Sequence, residues 1–127
     1  MSTTTVTALD QLNVVFAERF NARDLEALLA LSTPEAVFVP APGQPVAGAD
    51  AIRGALTQFL SLNLPITMNV RHVFQSGSTG LVVADWTLAG TGPDGSDVNL
   101  GGTTSDVAIY DEEHGWRYAI DNPFGTA

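Results

Sequence analysis

Few residues of this chain could do chemistry, and the best placed is Asp106, in the run Thr104-Ser105-Asp106-Val107-Ala108-Ile109-Tyr110. That run, the acidic turn Asp111–Gly115 and the run Trp116–Ile120 read together as a β-hairpin. Pro123 stops it, because proline has no N–H to give to a ladder. A turn of that length sets Tyr110 opposite Trp116. Counting back then pairs Ala108 with Tyr118, Asp106 with Ile120 and Thr104 with Asn122, all on one face, because strand side chains alternate. Asp106 is therefore expected among apolar neighbours, where burial disfavours the carboxylate and leaves a neutral acid able to donate to a ligand oxygen. The plainer alternative is a structural carboxyl bonded to Thr104 or Tyr118. The opposite face carries Ser105, Val107, Ile109, Arg117, Ala119 and Asp121.

Other reactive types offer less. His72 alternates with Val70 and Phe74 and could face the same interior, whereas His114 falls in the acidic turn and reads as solvated. The chain has no Cys, which removes thiolate catalysis, disulfides and Cys-ligated metals together. Ser76, Ser78 and Ser105 have no paired base. Asp85, Asp97, Asp106 and Asp121 come from different strands and faces without a ligand spacing, so neither a metal nor a cofactor is expected. The glycine pairs Gly90-x-Gly92 and Gly101-Gly102 open no helix and so make no phosphate cradle.

The elements that must position these residues follow from periodicity. Leu9, Leu12, Phe16 and Phe20 form a helical stripe, and Thr7 with Asp10 suggests a cap, which predicts a helix over Thr7–Asn21. A second helix is expected over Asp24–Leu31, broken by Ser32-Thr33-Pro34. Ala36–Val39 reads as a short strand, and Pro40-Ala41-Pro42-Gly43-Gln44-Pro45 as a stiff loop. Ile52, Leu56, Phe59 and Leu60 recur at helical spacing, predicting a third helix over Ala49–Leu62. The period then changes to two through Ile66–Gln75, Leu81–Thr91 and Val98–Tyr110, a meander of antiparallel strands. The order implies an α+β domain, helices on one face of a strongly curved sheet.

Length and charge bound the partners. A chain of 127 residues is expected to form one domain, 1–127, large enough to enclose a small pocket. With 14 acidic against 5 basic residues it has no basic stripe, so neither nucleic acid nor an anionic membrane is an expected partner. The opening Met-Ser-Thr-Thr-Thr-Val-Thr carries no export signal and no stretch is apolar enough to span a bilayer, so a cytoplasmic location is expected.

Several strings carry a resemblance. They are Asp24-Leu25-Glu26-Ala27, Gly43-Gln44-Pro45, Gly48-Ala49-Asp50-Ala51-Ile52-Arg53, and Asp106-Val107-Ala108-Ile109-Tyr110-Asp111-Glu112 ahead of Gly115. In this order the chain resembles the nuclear-transport-factor-2-like superfamily, whose cone-shaped, cystatin-like fold includes steroid isomerases and SnoaL-like polyketide cyclases. The ending Trp116–Gly125 looks most like small bacterial YybH-type members. A steroid-isomerase mechanism needs an Asp base, and a Tyr and a neutral Asp that donate to the enolate oxygen. The matched strings put the base position at Pro40 and the Tyr position at Phe16, so two of the three groups are missing and only Asp106 has a counterpart. The standard mechanism is therefore rejected, and Asp106 is expected to act alone. The resemblance implies a pocket for a small, mostly apolar, polyketide- or steroid-like carbonyl compound, bound with or without turnover by a divergent isomerase or cyclase. Expected around Asp106 are Phe16, Phe59, Trp86, Thr104, Tyr118, Ile120, Asn122 and Phe124. It also implies a homodimer, for which Val107, Ile109 and Ala119 supply an apolar outer face. The alternative is a non-catalytic homodimeric interaction module whose cone is filled by its own side chains.

Overall fold

The computed structural model describes residues 5–127, so the opening of the chain, Met1–Thr4, lies outside the described residues. Leu9–Gln11 forms a single 3-10 turn that runs into helix α1, Leu12–Asn21. The expected cap at Thr7 is not used: Ala8 precedes the turn without a side-chain bond, and Val6 instead bridges to Gly115. Helix α2 is shorter than predicted, Leu25–Leu29, and is capped by Asp24, whose carboxylate accepts from the Ala27 amide at 3.1 Å. Strand β1, Ser32–Ala41, then takes in Pro34 and Pro40, and β2, Gln44–Ala47, takes in Pro45. The stretch expected to be a stiff loop is thus largely a hairpin. Its prolines are tolerated because β2 is the sheet edge and β1 pairs irregularly, with register shifts against both neighbours. Helix α3 follows as Ala49–Leu60, so it comes after two strands rather than grouped with the first helices.

Four further stretches, β3 (Ile66–Ser76), β4 (Thr79–Thr91), β6 (Asp106–Asp111) and β7 (Gly115–Asp121), continue the sheet, with β5 (Asp97–Thr103) paired to β4. The path is β2-β1-β7-β6-β4-β3, antiparallel except where β1 runs parallel to β7, giving a curved mixed sheet. The strand expected over Val98–Tyr110 is interrupted at Thr104 and Ser105, although β5 and β6 meet β4 in one register. The cause is local. The Thr104 hydroxyl accepts the Ala84 amide at 3.0 Å, taking the place of a backbone carbonyl in the ladder.

One face of the sheet is buried. On β4 Val82, Ala84, Trp86 and Leu88 are buried; Trp86 and Leu88 cluster with Phe20, Leu28, Ile52 and Leu56 from the helices, and Val82 with Leu12. All three helices therefore cover the same face, as alternation requires. The other face keeps large apolar side chains exposed. Register places Phe74 beside Leu81, Leu81 beside Val107, Val107 beside Ile120 and Ile120 beside Val37, a row across five strands.

Two bulges overturn part of the sequence reading. On β7 Tyr118 faces Ala108 as expected, but Ile120 faces Val107, so Ala119 is an extra residue. A one-residue slip moves every later side chain to the other face. Ile120, expected to be buried beside Asp106, is 40% exposed, and Asp121, expected outside, turns in. On β3 Val70 faces Ala84 while His72 faces Val83, which makes Arg71 the extra residue. Val70 and Val73 consequently pack on the core, and His72 stacks on the exposed Phe74 with ring centroids 5.9 Å apart, away from the interior. Among the described residues no helix is long and apolar enough to cross a membrane.

Candidate functional site

A cavity of about 40 Å³ lies between the helices and the buried sheet face. Phe16 and Phe20 of α1 and Leu56 and Phe59 of α3 form one side; Phe38 of β1, Ile66 and Met68 of β3, and Trp86 and Leu88 of β4 form the other. Helical spacing puts the α1 and α3 residues on single stripes, and alternation puts the strand residues on the inner face. Thr104, Tyr118, Asp121 and Pro123 complete the wall at its polar end. The aromatic walls brace one another: Phe16 packs edge-on against Tyr118 at 6.0 Å, Phe38 against Phe59 at 6.2 Å, and Trp86 against Phe124 at 5.9 Å.

Five of the expected residues, Phe16, Phe59, Trp86, Thr104 and Tyr118, line this cavity. Ile120 does not, because the bulge at Ala119 turns it outward. Phe124 stands behind Trp86, whose indole N–H donates to the Pro123 carbonyl at 2.6 Å and ties the C-terminal turn to the sheet. Asn122 holds that turn: its side-chain amide donates to Ser105 Oγ at 3.1 Å and to the Gly125 carbonyl at 2.8 Å, while its carboxamide oxygen accepts from the Phe124 amide at 3.2 Å. Asp106 is buried, 1% exposed, and is not among the residues that line the cavity.

What surrounds Asp106 differs from the expectation that it acts alone. Its Oδ2 accepts from Asn13 Nδ2 at 3.2 Å and its Oδ1 from the Asn122 backbone amide at 3.0 Å. Behind Asn13, the Tyr118 hydroxyl donates to Asn13 Oδ1. In front, the Asp121 carboxyl is hydrogen-bonded to Asp106, brought there by the bulge that sets the two residues across from each other. Burial pushes Asp106 up to about 6, although its hydrogen-bond donors oppose the rise. Burial, and then the neighbouring Asp106, raise Asp121 well above the usual carboxylate range. Burial and both carboxyls likewise raise Tyr118, so its phenol keeps its proton. The result is a carboxyl pair at the polar end of an apolar cavity, backed by an amide and a phenol.

Asn13 and Asp121 escaped the sequence reading. Asn13 carried a signal: it stands four residues after Leu9 and three before Phe16, on the apolar stripe itself, where a polar side chain needs a buried partner. Asp121 carried none, since strict alternation puts it outside. Of the four scattered aspartates only Asp106 and Asp121 meet. Asp85 bonds the Thr103 hydroxyl at 2.8 Å, with Arg71 at 3.6 Å, and Asp97 is exposed. No group of three metal-ligating side chains gathers among the described residues.

The architecture recurs in solved structures. A conserved protein from Planctomyces limnophilus superposes with a TM-score of 0.77 at 18% identity, over 90% of each chain. A nuclear transport factor 2-like superfamily protein from Salmonella enterica gives 0.75 at 18% identity, over 92% of this chain and 87% of that one. A ketosteroid isomerase-like protein from Erwinia carotovora gives 0.71 at 17% identity, over 89% of each. The fold is thus the nuclear-transport-factor-2-like α+β fold. Within it, the SnoaL-like domain model matches residues 15–115, and the chain belongs to that family. No protein of curated function matches it.

Proposed function

We propose that the protein binds a small, mostly apolar, oxygen-bearing molecule in this cavity, of the polyketide- or steroid-like kind, with any turnover being isomerase- or cyclase-like. The observation that carries this reading is the union of an aromatic-walled cavity with a carboxyl pair at one end, Asp106 buried and Asp121 half-buried. Ligand sites are typically apolar with a few convergent polar groups, and carboxyls raised by burial and by each other are common in them. The standard steroid-isomerase mechanism is not part of the proposal, since Phe16 and Pro40 occupy two of its three functional positions. The test is a thermal-shift screen against carbonyl-containing aromatics, sterols and their alcohols. A ligand that binds only the folded state raises its melting temperature.

A second reading, the interaction module with a self-filled cone, is favoured by the size of the cavity. A cavity of about 40 Å³ is far smaller than the roughly 300–1,000 Å³ of sites for drug-sized ligands, so a ligand of that size requires Phe16, Phe59 or Met68 to move. If no compound in the screen stabilises the protein, the cone is a core and this second reading stands.

Either reading goes with a homodimer through the outer sheet face. Phe74 at 58%, Leu81 at 38% and Ile109 at 39% exposure form an apolar patch with Val107 and Ala119.

A further inference from the structure

We propose that Asp121, rather than Asp106, is the polar residue that meets the ligand, and that it does so as a hydrogen-bond acceptor, so that the cavity takes an apolar molecule by its hydroxyl group. The inference rests on the cavity being a ligand site and specifies what that site selects.

Two carboxyl groups in hydrogen-bond contact must share a proton, because a carboxylate has no hydrogen to give. Asp106 already accepts from Asn13 Nδ2 at 3.2 Å and from the Asn122 amide at 3.0 Å, whereas no donor meets Asp121 among the described residues. Above about pH 6, where the pair holds a single proton, the negative charge therefore stays on Asp106, where donors stabilise it, and the proton sits on Asp121, aimed at Asp106. What Asp121 has left for the cavity is lone pairs.

The other side-chain donors on the wall are committed as well. The Tyr118 hydroxyl donates to Asn13 Oδ1, the Trp86 indole to the Pro123 carbonyl, and the Thr104 hydroxyl, which accepts the Ala84 amide, has the Val82 carbonyl at 3.4 Å and the Asp106 carboxylate as acceptors for its hydrogen. A ligand carbonyl brings only lone pairs and would find no hydrogen free. A ligand hydroxyl brings the hydrogen that Asp121 lacks. The direction is the reverse of the sequence-based expectation, in which a neutral Asp106 donates to a carbonyl.

Three probes share one ring and differ only in their polar group: cyclohexanol, cyclohexanone and methylcyclohexane. Their dissociation constants are measured for the wild-type protein by NMR titration. The expected result is that the alcohol binds about tenfold more tightly than the ketone, the usual worth of one net hydrogen bond, and that the ketone gains nothing over the hydrocarbon. In Asp121→Asn the amide N–H can donate to Asp106 while the carbonyl oxygen remains an acceptor, so the alcohol preference is kept. In Asp121→Leu it disappears, while methylcyclohexane still binds and so reports an intact cavity. A ketone that binds as tightly as the alcohol, or an alcohol preference that survives Asp121→Leu, overturns the assignment of Asp121 and leaves the cavity a ligand site. If none of the three binds the wild-type protein, the ligand-site reading falls and this inference falls with it.

Discussion

Raising the pH should destabilise this protein steadily across the range in which most proteins are at their most stable. In the unfolded chain both Asp106 and Asp121 titrate near 3.9, so by about pH 5 both have lost their protons. In the folded chain Asp106 keeps its proton up to about 6 and Asp121 keeps its own further still. The folded state then binds more protons than the unfolded one, and stability falls as pH rises, by about 1.4 kcal/mol per pH unit for each proton retained. From its ordinary 3.8 to about 6, Asp106 alone accounts for a loss of about 3 kcal/mol. The fall should be steepest below about pH 6, where both protons are retained, and should roughly halve above it. Asp94, Asp111 and Glu26 are exposed carboxylates held below their usual range, mainly by Ser96, His114 and Arg53 respectively. Their contribution has the opposite sense and is lost only at more acid pH, outside this window. The assay is the urea midpoint at fixed ionic strength from about pH 5 to about pH 8, beginning above the isoelectric point of about 4.2 so that the protein stays charged. Asp106→Asn removes one titration and the charge beside Asp121, so its slope should drop by half or more. A wild-type stability that is flat or rising over this range, or an unchanged slope in Asp106→Asn, would refute the proton-retaining carboxyl pair.

Three other expectations follow from named contacts. Asn13→Leu leaves the Tyr118 hydroxyl without its acceptor and Asp106 without one donor, both buried, and should lower unfolding free energy by about 2–4 kcal/mol in urea titration. Gly115 has φ +73°, and an added Cβ would collide with the Val6 carbonyl; Gly77, at φ +57°, faces open space. Gly115→Ala should therefore cost more than about 2 kcal/mol and Gly77→Ala only about 1 kcal/mol, compared by their urea midpoints. Sedimentation at micromolar concentration should find a dimer that Leu81→Lys converts to a folded monomer; a wild-type monomer would dispose of the outer-face contact.

Much of the architecture could be read from periodicity, and the failures share a cause. Helices α1 and α3 and the turn joining β6 to β7 follow their apolar spacing, and Tyr110 meets Trp116 as the count from that turn requires. Alternation is blind to an extra residue, however, and the two bulges at Arg71 and Ala119 reverse His72, Ile120 and Asp121. The second of these builds the carboxyl pair, so the site is least legible where its chemistry is made. The prolines of β1 and β2 misled in the other direction. They forbid an interior strand only where a neighbour needs their missing N–H: Pro45 lies on the edge strand β2, and Pro34 and Pro40 fall where the interior β1 breaks register with its neighbours. Asp106 was found because the extra residue lies on β7: β6 keeps its own alternation, so Asp106 stays on the inward face of Ala108.

The most direct test of the cavity as a ligand site is a methyl-resolved NMR titration with cyclohexanol. Ile66, Met68, Leu56 and Leu88 line the cavity, whereas Leu81 and Leu100 are exposed outside it and serve as internal controls. The expected result is a saturable shift confined to the first four residues, with Leu81 and Leu100 unmoved. Shifts that never saturate, or that fall on Leu81 and Leu100 instead, would mean that the cone is closed by its own side chains and holds no ligand.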